Sequence, residues 1–553
     1  MDSAREIHQE MVARQFRRDR RSVRSIRYEG SLDVRGRSVS VAVEFLVPHL
    51  GRLPRLYLKN RVVDLPDAVA HVEENDRICY AREEELVLDP HNPRGSVALC
   101  MLKMQEALER IAKGELQDEV AQEFPQHWQG TSVYVDLPPG AKAAFAFPVR
   151  RDGGNFNVIA ESSKRLKRFE VCDAEIRTAE ASKAPVVLLT TDRTLTFTRT
   201  LRVPRVLAEL LALLASVSED LPQMLLSGVA RAWPNQSLFI LRAPNGTVGG
   251  RLVIPSLLAK AVQRPQFLAK LLQKKAGTVI VDRLTGLSLD PSFIYRRNMA
   301  EQPNLGGKKI ALVGIGTIGG WLARFLAQSG AGTDGGRLVL LDDDNLRPGN
   351  LGRHWLGTPY LGMNKAVGAR KELYRTNPDC EVAAIPEDAF KHISTLMDFD
   401  LVIDATGEQA VSDVLNADLV RARRERQKAP TSLHVWLVGS GVAAQALLAD
   451  SGENACFRCL RTTDGLERNR LLRPDHPAAL TPANCGEGAY FAYGVGAPAM
   501  AAGLALQMCL DWAKDAPSPR LRTIRINHEA TFEVKDKNAA RLENCPACAA
   551  PQG

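Results

Sequence analysis

Residues 308–357 read KKIALVGIGTIGGWLARFLAQSGAGTDGGRLVLLDDDNLRPGNLGRHWLG. An apolar strand, IALV, runs directly into Gly314-Ile315-Gly316-Thr317-Ile318-Gly319, and a helical stretch, GGWLARFLAQSG, follows. The first glycines permit a tight turn and let backbone N–H groups approach a phosphate. The third lets helix and strand pack closely, and the helix N-terminus favours negative charge. RLVLLDDD supplies a second strand, a helix begins after Lys365, and DLVIDATG supplies a third strand. Apolar strands alternating with helices predict an α/β fold with a parallel sheet covered by helices.

The glycine motif by itself also suits a dinucleotide-binding dehydrogenase, since Asp342, 28 positions after Gly314, can bind a ribose in either case. What comes next separates the two. Asp344, Asn350, Arg353 and Lys365 follow, and a nicotinamide site has no use for an Arg and a Lys beyond its ribose acid. A nucleoside triphosphate does, because cations at the phosphates neutralise charge that builds when the α-phosphate is attacked. As a set, these spacings over about 300–550 resemble the adenylation domain of the ThiF/MoeB/ubiquitin-activating superfamily.

The resemblance implies a Rossmann-like domain that binds ATP and Mg2+ through Gly314, Gly316, Gly319, Asp342, Asp344, Asn350, Arg353 and Lys365, and joins AMP to the C-terminal glycine carboxylate of a ubiquitin-fold protein. It further implies a homodimer through this domain, with Arg296, in Tyr295-Arg296-Arg297-Asn298, reaching ATP. One departure concerns the third strand. The family often has D-x-x-D there, whereas this chain has Asp404-Ala405-Thr406-Gly407-Glu408, leaving Asp404 or Glu408 to supply the magnesium charge.

Six of the ten cysteines lie after residue 450. Cys456-Phe-Arg-Cys459 and Cys545-Pro-Ala-Cys548 are two C-x-x-C knuckles, and four thiolates at that spacing make a closed structural Zn2+ site. Cys485, in TPANCGEGAYFAYG, sits in a polar, Gly-rich loop, where the superfamily often carries the cysteine that attacks the adenylate to form a thioester. Cys509, inside AGLALQMCLDW, reads as core.

The front of the chain has a different pattern. Residues 1–27 read as a helix basic on much of its surface, a solvated face or a docking face for an acidic partner. SIRYEGSLDV, the turn RGR and SVSVAVEFLV then form a period-two hairpin, and residues 94–113 have helical periodicity. His71-Val-Glu-Glu-Asn75-Asp-Arg-Ile78-Cys79 follows the hairpin and a Pro48/Pro54 loop. Over roughly 15–115 this α+β stretch resembles the ubiquitin-conjugating fold, which implies Cys79 as the acyl-carrying thiol with His71 and Asn75 around it. The usual Pro between His and Asn is missing, and His71 to Cys79 is two residues shorter than usual. Cys100 reads as packing.

At 553 residues, 45% hydrophobic and 25% charged, the composition excludes collagen-like, coiled-coil and wholly disordered chains and suits about three or four units. The expected division is 1–150 ubiquitin-conjugating-like, 151–295 a linker or partner-binding domain without a catalytic signature, and 296–553 the adenylation domain. A net charge of +8 is too mild for a nucleic-acid coat, which argues against nucleic acid as a partner. The N-terminus lacks the apolar core of a secretory signal, and the uncharged window Ala489 to Leu510 is rich in Ala and Gly, so it reads as a loop and buried helix and not a membrane span. A cytoplasmic protein is expected, its cysteines serving metal or chemistry.

Together the two resemblances match the fused conjugation enzymes of CBASS anti-phage operons. They imply adenylation of a partner's C-terminal carboxylate, thioester formation on Cys485, transfer to Cys79 and ligation to a target amine. The implied partner is a cGAS/DncV-like nucleotidyltransferase or a ubiquitin-like protein. Two other classes stay open: a sulfur-carrier-protein adenylyltransferase of the thiamin or molybdopterin type, and a non-catalytic scaffold.

Overall fold

A computed structural model describes residues 3–20, 25–46, 50–60, 71–73, 76–81, 85–115, 117–151, 154–166, 169, 183–198, 201–233, 237–256, 258, 265–299, 303–425, 429–462, 464–476, 480–481 and 490–549. The chain divides into two units, Met1–Leu289 and Asp290–Gly553.

The first unit opens with helix α1 (Ser3–Ala13) and an antiparallel sheet in the order β1 (Arg17–Asp19), β2 (Ile26–Val34), β3 (Arg37–Phe45), β4 (Arg55–Leu58), β5 (Arg77–Ile78). The helix is shorter than the basic pattern of residues 1–27 suggests. It buries Ile7 and Met11 and stops at Ala13; Gln15 then turns the chain at φ 65°. Phe16 is buried over Gly30, where a Cβ would meet its ring at 2.7 Å, and Arg17–Asp19 pair with Arg27–Glu29. A buried aromatic anchor and a β ladder outweigh the helical charge pattern there. Between β2 and β3, Arg35 and Gly36 both have positive φ (55° and 75°), the mirror-image turn that matches strand twist.

Helix α2 (Pro93–Lys113) starts at Asn92, whose side chain accepts from the Gly95 N–H, with Pro in its first turn, and ends at Gly114 with φ 74°. Val97, Cys100, Met101, Met104, Leu108 and Ile111 form its buried stripe, so Cys100 is a packing residue. Short helix α3 (Phe124–Trp128) leads into a closed barrel: β6 (Thr131–Asp136), β7 (Ala144–Arg151), β8 (Gly154–Ala160), β9 (Ala184–Thr190), β10 (Leu238–Ala243), β11 (Gly246–Val253) and β12 (Ile280–Ser288). Trp128 Nε1–H donates to the Gly249 carbonyl at 2.9 Å, and Phe124 stacks on Phe197 at 4.4 Å. One hydrophobic cluster therefore runs from α1 and the sheet into helices α4 (Leu207–Val217) and α5 (Leu221–Ala232) beside the barrel.

The second unit holds β13 (Lys309–Val313), α6 (Thr317–Gln328), β14 (Arg337–Leu341), α7 (Lys365–Thr376), β15 (Val382–Ile385), β16 (Leu401–Asp404), α8 (Gln409–Glu425), β17 (Thr431–Val438), β18 (Ala443–Ala449), β19 (Leu480–Thr481), β20 (Tyr490–Phe491), α9 (Gly496–Ala513) and β21 (Leu521–Arg525). Its sheet runs β15-β14-β13-β16-β17-β18-β21. The first five strands are parallel, β18 pairs antiparallel with β17, and β21 pairs antiparallel with β18. β13, β14 and β16 are apolar on both faces, as a sheet covered on both sides requires. This is the Rossmann-like order. Its direction reverses at β13, so a ligand crevice opens at the carboxyl ends of β13 and β16. α9 buries Ala501, Ala502, Ala505, Met508 and Cys509 against this core. No helix among the described residues is long and apolar enough to cross a membrane.

Candidate active site

At the end of β13 the chain turns through Gly314 (φ +83°), where a Cβ would lie 2.8 Å from the Thr406 backbone at the end of β16. At Gly319 a Cβ would sit 1.8 Å from the Gly314 carbonyl oxygen, so only glycine lets α6 start this close to the strand. Gly316 precedes α6 with open space around it and no side chain capping the first turn.

Asp342 ends β14 beside this turn. Its two oxygens accept the backbone N–H groups of Ile315 (2.6 Å) and Asp344 (2.8 Å). Burial raises its pKa, with the nearby Lys365 charge opposing. Lys365 is 8% exposed and its ammonium reaches Asp344 at 2.6 Å. Burial works against the Asp344 carboxylate, but the Lys365 hydrogen bond and charge hold its pKa below the ordinary value. Asn364 caps α7 through the Val367 N–H and donates its amide to the Asp342 carbonyl at 2.7 Å. The helix start, Lys365 and the acid pair thus share one hydrogen-bond network.

Asn350 Oδ1 accepts the Arg347 N–H at 2.9 Å and its carbonyl accepts from the backbone of Arg353 and His354. The Arg353 guanidinium lies 5.0 Å from the Tyr493 ring and 5.8 Å from the Tyr490 ring. His354 is buried; its Nε2 meets the Ile315 carbonyl at 2.8 Å, and its Nδ1 meets the Leu356 N–H at 3.0 Å. A carbonyl only accepts and an N–H only donates, so this geometry assigns the neutral ring with its proton on Nε2. Burial lowers the His354 pKa accordingly, against the pull of the Ile315 hydrogen bond. His354 ties the Asn350–Arg353 segment to the glycine turn. It directly follows Arg353 in sequence, yet no motif marks it.

Asp404 is 3% exposed, with Oδ1 accepting from Thr406 at 2.7 Å (hydroxyl) and Oδ2 facing His434 Nδ1 at 2.9 Å. Burial opposes the charge, but His434, Ser412 and Thr406 together hold its carboxyl low. Glu408, four residues on, is exposed. Arg296 is 60% exposed and pairs with Asp334 at 3.1 Å, on the loop entering β14 at the amino edge of the sheet. Within one chain it therefore stands on the edge opposite the glycine turn. Cys485 lies outside the described residues; the flanking strands β19 and β20 pair antiparallel, Leu480 with Phe491 and Thr481 with Tyr490.

The sulfurs of Cys456, Cys459, Cys545 and Cys548 all lie within 4.8 Å of one another, and all four are buried free thiols. Adjacent sulfurs are 3.7 Å (Cys456–Cys459), 3.8 Å (Cys456–Cys545) and 3.3 Å (Cys459–Cys548) apart. A tetrahedral ion with metal–sulfur bonds of ~2.3 Å has sulfur–sulfur edges of ~3.8 Å, so the set fits a closed four-thiolate site. The Leu542 N–H and Asn416 amide point at Cys459 and Cys456, donors that favour thiolate ligands.

In the first unit, Cys79 follows β5 on an exposed turn. Its N–H donates to the His71 carbonyl at 2.8 Å, and Val72 bridges Ile78, closing the 71–79 loop at its base. The His71 ring lies between Glu119 (Nε2, 2.8 Å) and Glu123 (Nδ1, 3.2 Å), and the His71 backbone N–H donates to Glu123 at 2.8 Å. Its pKa is pushed up to about 9, chiefly by the Cys79 thiol and then by the two glutamates against burial. The ring is thus an imidazolium at neutral pH. The glutamates, 48 and 52 residues further on, escape any local pattern. Asn75 lies outside the described residues.

Residues 294–547 match the ThiF family, and residues 5–133 match Prokaryotic E2 family B. The "ATP-dependent ubiquitin transferase-like protein Cap2" of Pseudomonas aeruginosa (strain BWHPSA011 / Pa011) is 31% identical over 521 residues, 91% of this chain and 90% of that protein. The protein of that name from Escherichia coli (strain TW11681) is 30% identical over 51% of this chain and 48% of its own length. Among solved structures, E. coli MccB with ATP covers 44% of this chain and 68% of its own at 18% identity and a TM-score of 0.34. ThiF adenylation implies ATP and Mg2+, and the close glycine turn at the end of β13 leaves room there for a phosphate. With both family segments present in this order and nine-tenths of each chain aligned, the protein is an activating and conjugating enzyme that belongs to the Cap2 family of ATP-dependent ubiquitin transferase-like proteins.

Proposed function

We propose that the chain activates the C-terminal glycine carboxylate of a protein partner and relays it over Cys485 and Cys79 to an amine. The observation that supports this most is the convergence of the Gly314 turn, Asp342, Lys365 and Arg353 at the sheet's reversal point, in the same chain as an exposed Cys79 backed by His71. A carboxylate oxygen attacks the α-phosphorus of ATP, the bond to the β-phosphate oxygen breaks and pyrophosphate leaves. Arg353 and Lys365 set positive charge against the phosphates. Magnesium, when bound, shares that charge, and Glu408 is the carboxylate free to face it, since Asp404 is committed to Thr406 and His434. The Cys485 thiolate then displaces AMP, the Cys79 thiolate displaces Cys485, and a target lysine amine displaces Cys79, giving an amide and returning the thiol.

His71 braces the loop that carries Cys79, its backbone carbonyl accepting the Cys79 N–H at 2.8 Å. Zinc on the four cysteines pins the chain's end to the domain. We carry the three-part division forward with it: conjugating domain 1–150, connector 151–295, with β6 and β7 reaching across that boundary into the barrel, and adenylation domain 296–553, the last forming a homodimer in which Arg296 would serve the other copy. The partner proposed is a cGAS/DncV-like nucleotidyltransferase or a ubiquitin-like protein, and the setting cytoplasmic anti-phage defence.

Incubation with ATP and a candidate partner tests the relay. Wild type gives thiol-reducible adducts; Cys485→Ala gives none, and Cys79→Ala stalls with the acyl group on Cys485. Full turnover by Cys79→Ala points instead to a sulfur-carrier activator. Absence of ATP–pyrophosphate exchange with every partner points to a scaffold, the outcome that Gly407 in place of a second acid keeps open.

A further inference from the structure

Tyr493 belongs to no motif and has no part in the chemistry above, yet it holds the cation that does. Its ring faces the Arg353 guanidinium at 5.0 Å, with Tyr490 adding a second face at 5.8 Å. The Tyr493 and Thr317 hydroxyls are 3.1 Å apart, and Thr317 opens α6 immediately after Gly316. On its other side Tyr493 packs on Gly441, where a Cβ would come within 2.8 Å of the tyrosine Cβ. The ring is therefore fixed to the glycine turn and to the loop after β17.

Arg353 itself is held by its backbone, its carbonyl accepting from Trp321 at 3.3 Å. Its Nε is buried with no hydrogen-bond acceptor among the described residues. An aromatic face attracts a guanidinium but accepts none of its in-plane N–H donors. The cation is thus oriented without being satisfied, which is the condition of a group kept ready for an anionic oxygen.

We propose that Tyr493, assisted by Tyr490, is a positioning residue that aims Arg353 at the nucleotide's phosphates, with the Thr317 hydroxyl fixing the ring. This rests on the ATP reading above. It predicts that the tyrosine acts on the phosphate end of the ligand and only through Arg353.

Calorimetric titration of the full chain with ATP and, separately, with adenosine tests it. Tyr493→Leu weakens ATP about three- to thirtyfold, the range of a stacked cation, and leaves adenosine unchanged. Tyr493→Phe, which keeps the ring, restores most of the ATP affinity. In an Arg353→Met background Tyr493→Leu has no further effect. The proposal falls if Tyr493→Leu binds ATP like wild type, if it loses ATP and adenosine equally, or if its effect adds to that of Arg353→Met. Tyr490→Leu, on an exposed ring, gives a smaller ATP-specific loss and serves should Tyr493→Leu fail to fold; no loss there would then sink the idea. If wild type binds no ATP, the functional reading fails first and this proposal with it.

Discussion

A Cβ at position 319 would lie 1.8 Å from the Gly314 oxygen, closer than any packing tolerates. Gly319→Ala must therefore push α6 off β13, at about 1–3 kcal/mol, and spoil the cradle; a lower melting temperature with weaker ATP binding checks this. His71 makes a prediction of opposite kind, one of pH. Its pKa rises from 6.5 to about 9 on folding, so the folded state binds the extra proton. The clamp's contribution to stability is full below pH 6.5 and is lost as pH climbs through about 9. Urea unfolding of wild type at pH 6 and pH 9.5, against His71→Asn, measures it. A variant with the same pH slope as wild type would show that Cys79, Glu119 and Glu123 do not hold the proton there. Residues of this kind divide by motif: Arg353 and Lys365 stand at recognisable spacings after the Gly314 turn, whereas Glu119 and Tyr493 meet the groups they touch only in the fold.

Among the elements, α3 is the hinge of the first unit's packing. Trp128 is fully buried and its indole donates to Gly249 on β11, so the short helix joins the sheet region to the barrel in one core. Trp128→Ala should cost about 3–5 kcal/mol, read as a lower denaturant midpoint for the first unit. The hairpin β2–β3, helix α2 and the alternation from β13 to β16 were legible because each follows a local period with its own turn or cap residues. The end of the N-terminal helix at Ala13 was not, because Phe16 and the β1–β2 ladder decide the segment after it through partners beyond its own sequence. The same holds for β6 and β7, which lie at or before residue 151 yet complete the barrel through pairing with β8, β9 and β12.

At the scale of the whole molecule, the four cysteines bring residues 456–459 and 545–548 together across the second unit. One zinc per chain is expected by metal analysis, and Cys545→Ser should lose it. Chelation should lower the melting of the second unit and leave the first unit's transition in place, because the ligands all come from the second. A single unchanged transition after the metal is removed would rule out a stabilising role. By itself the sequence determined the α/β class, the nucleotide cradle and the cysteine knuckles, because turn geometry, phosphate charge and metal spacing are all set by residues close in the chain. Only the tertiary structure decided which acid is buried, which rings face Arg353, which carboxylates flank His71 and how the barrel closes, since each depends on groups that meet only when distant strands and helices pack.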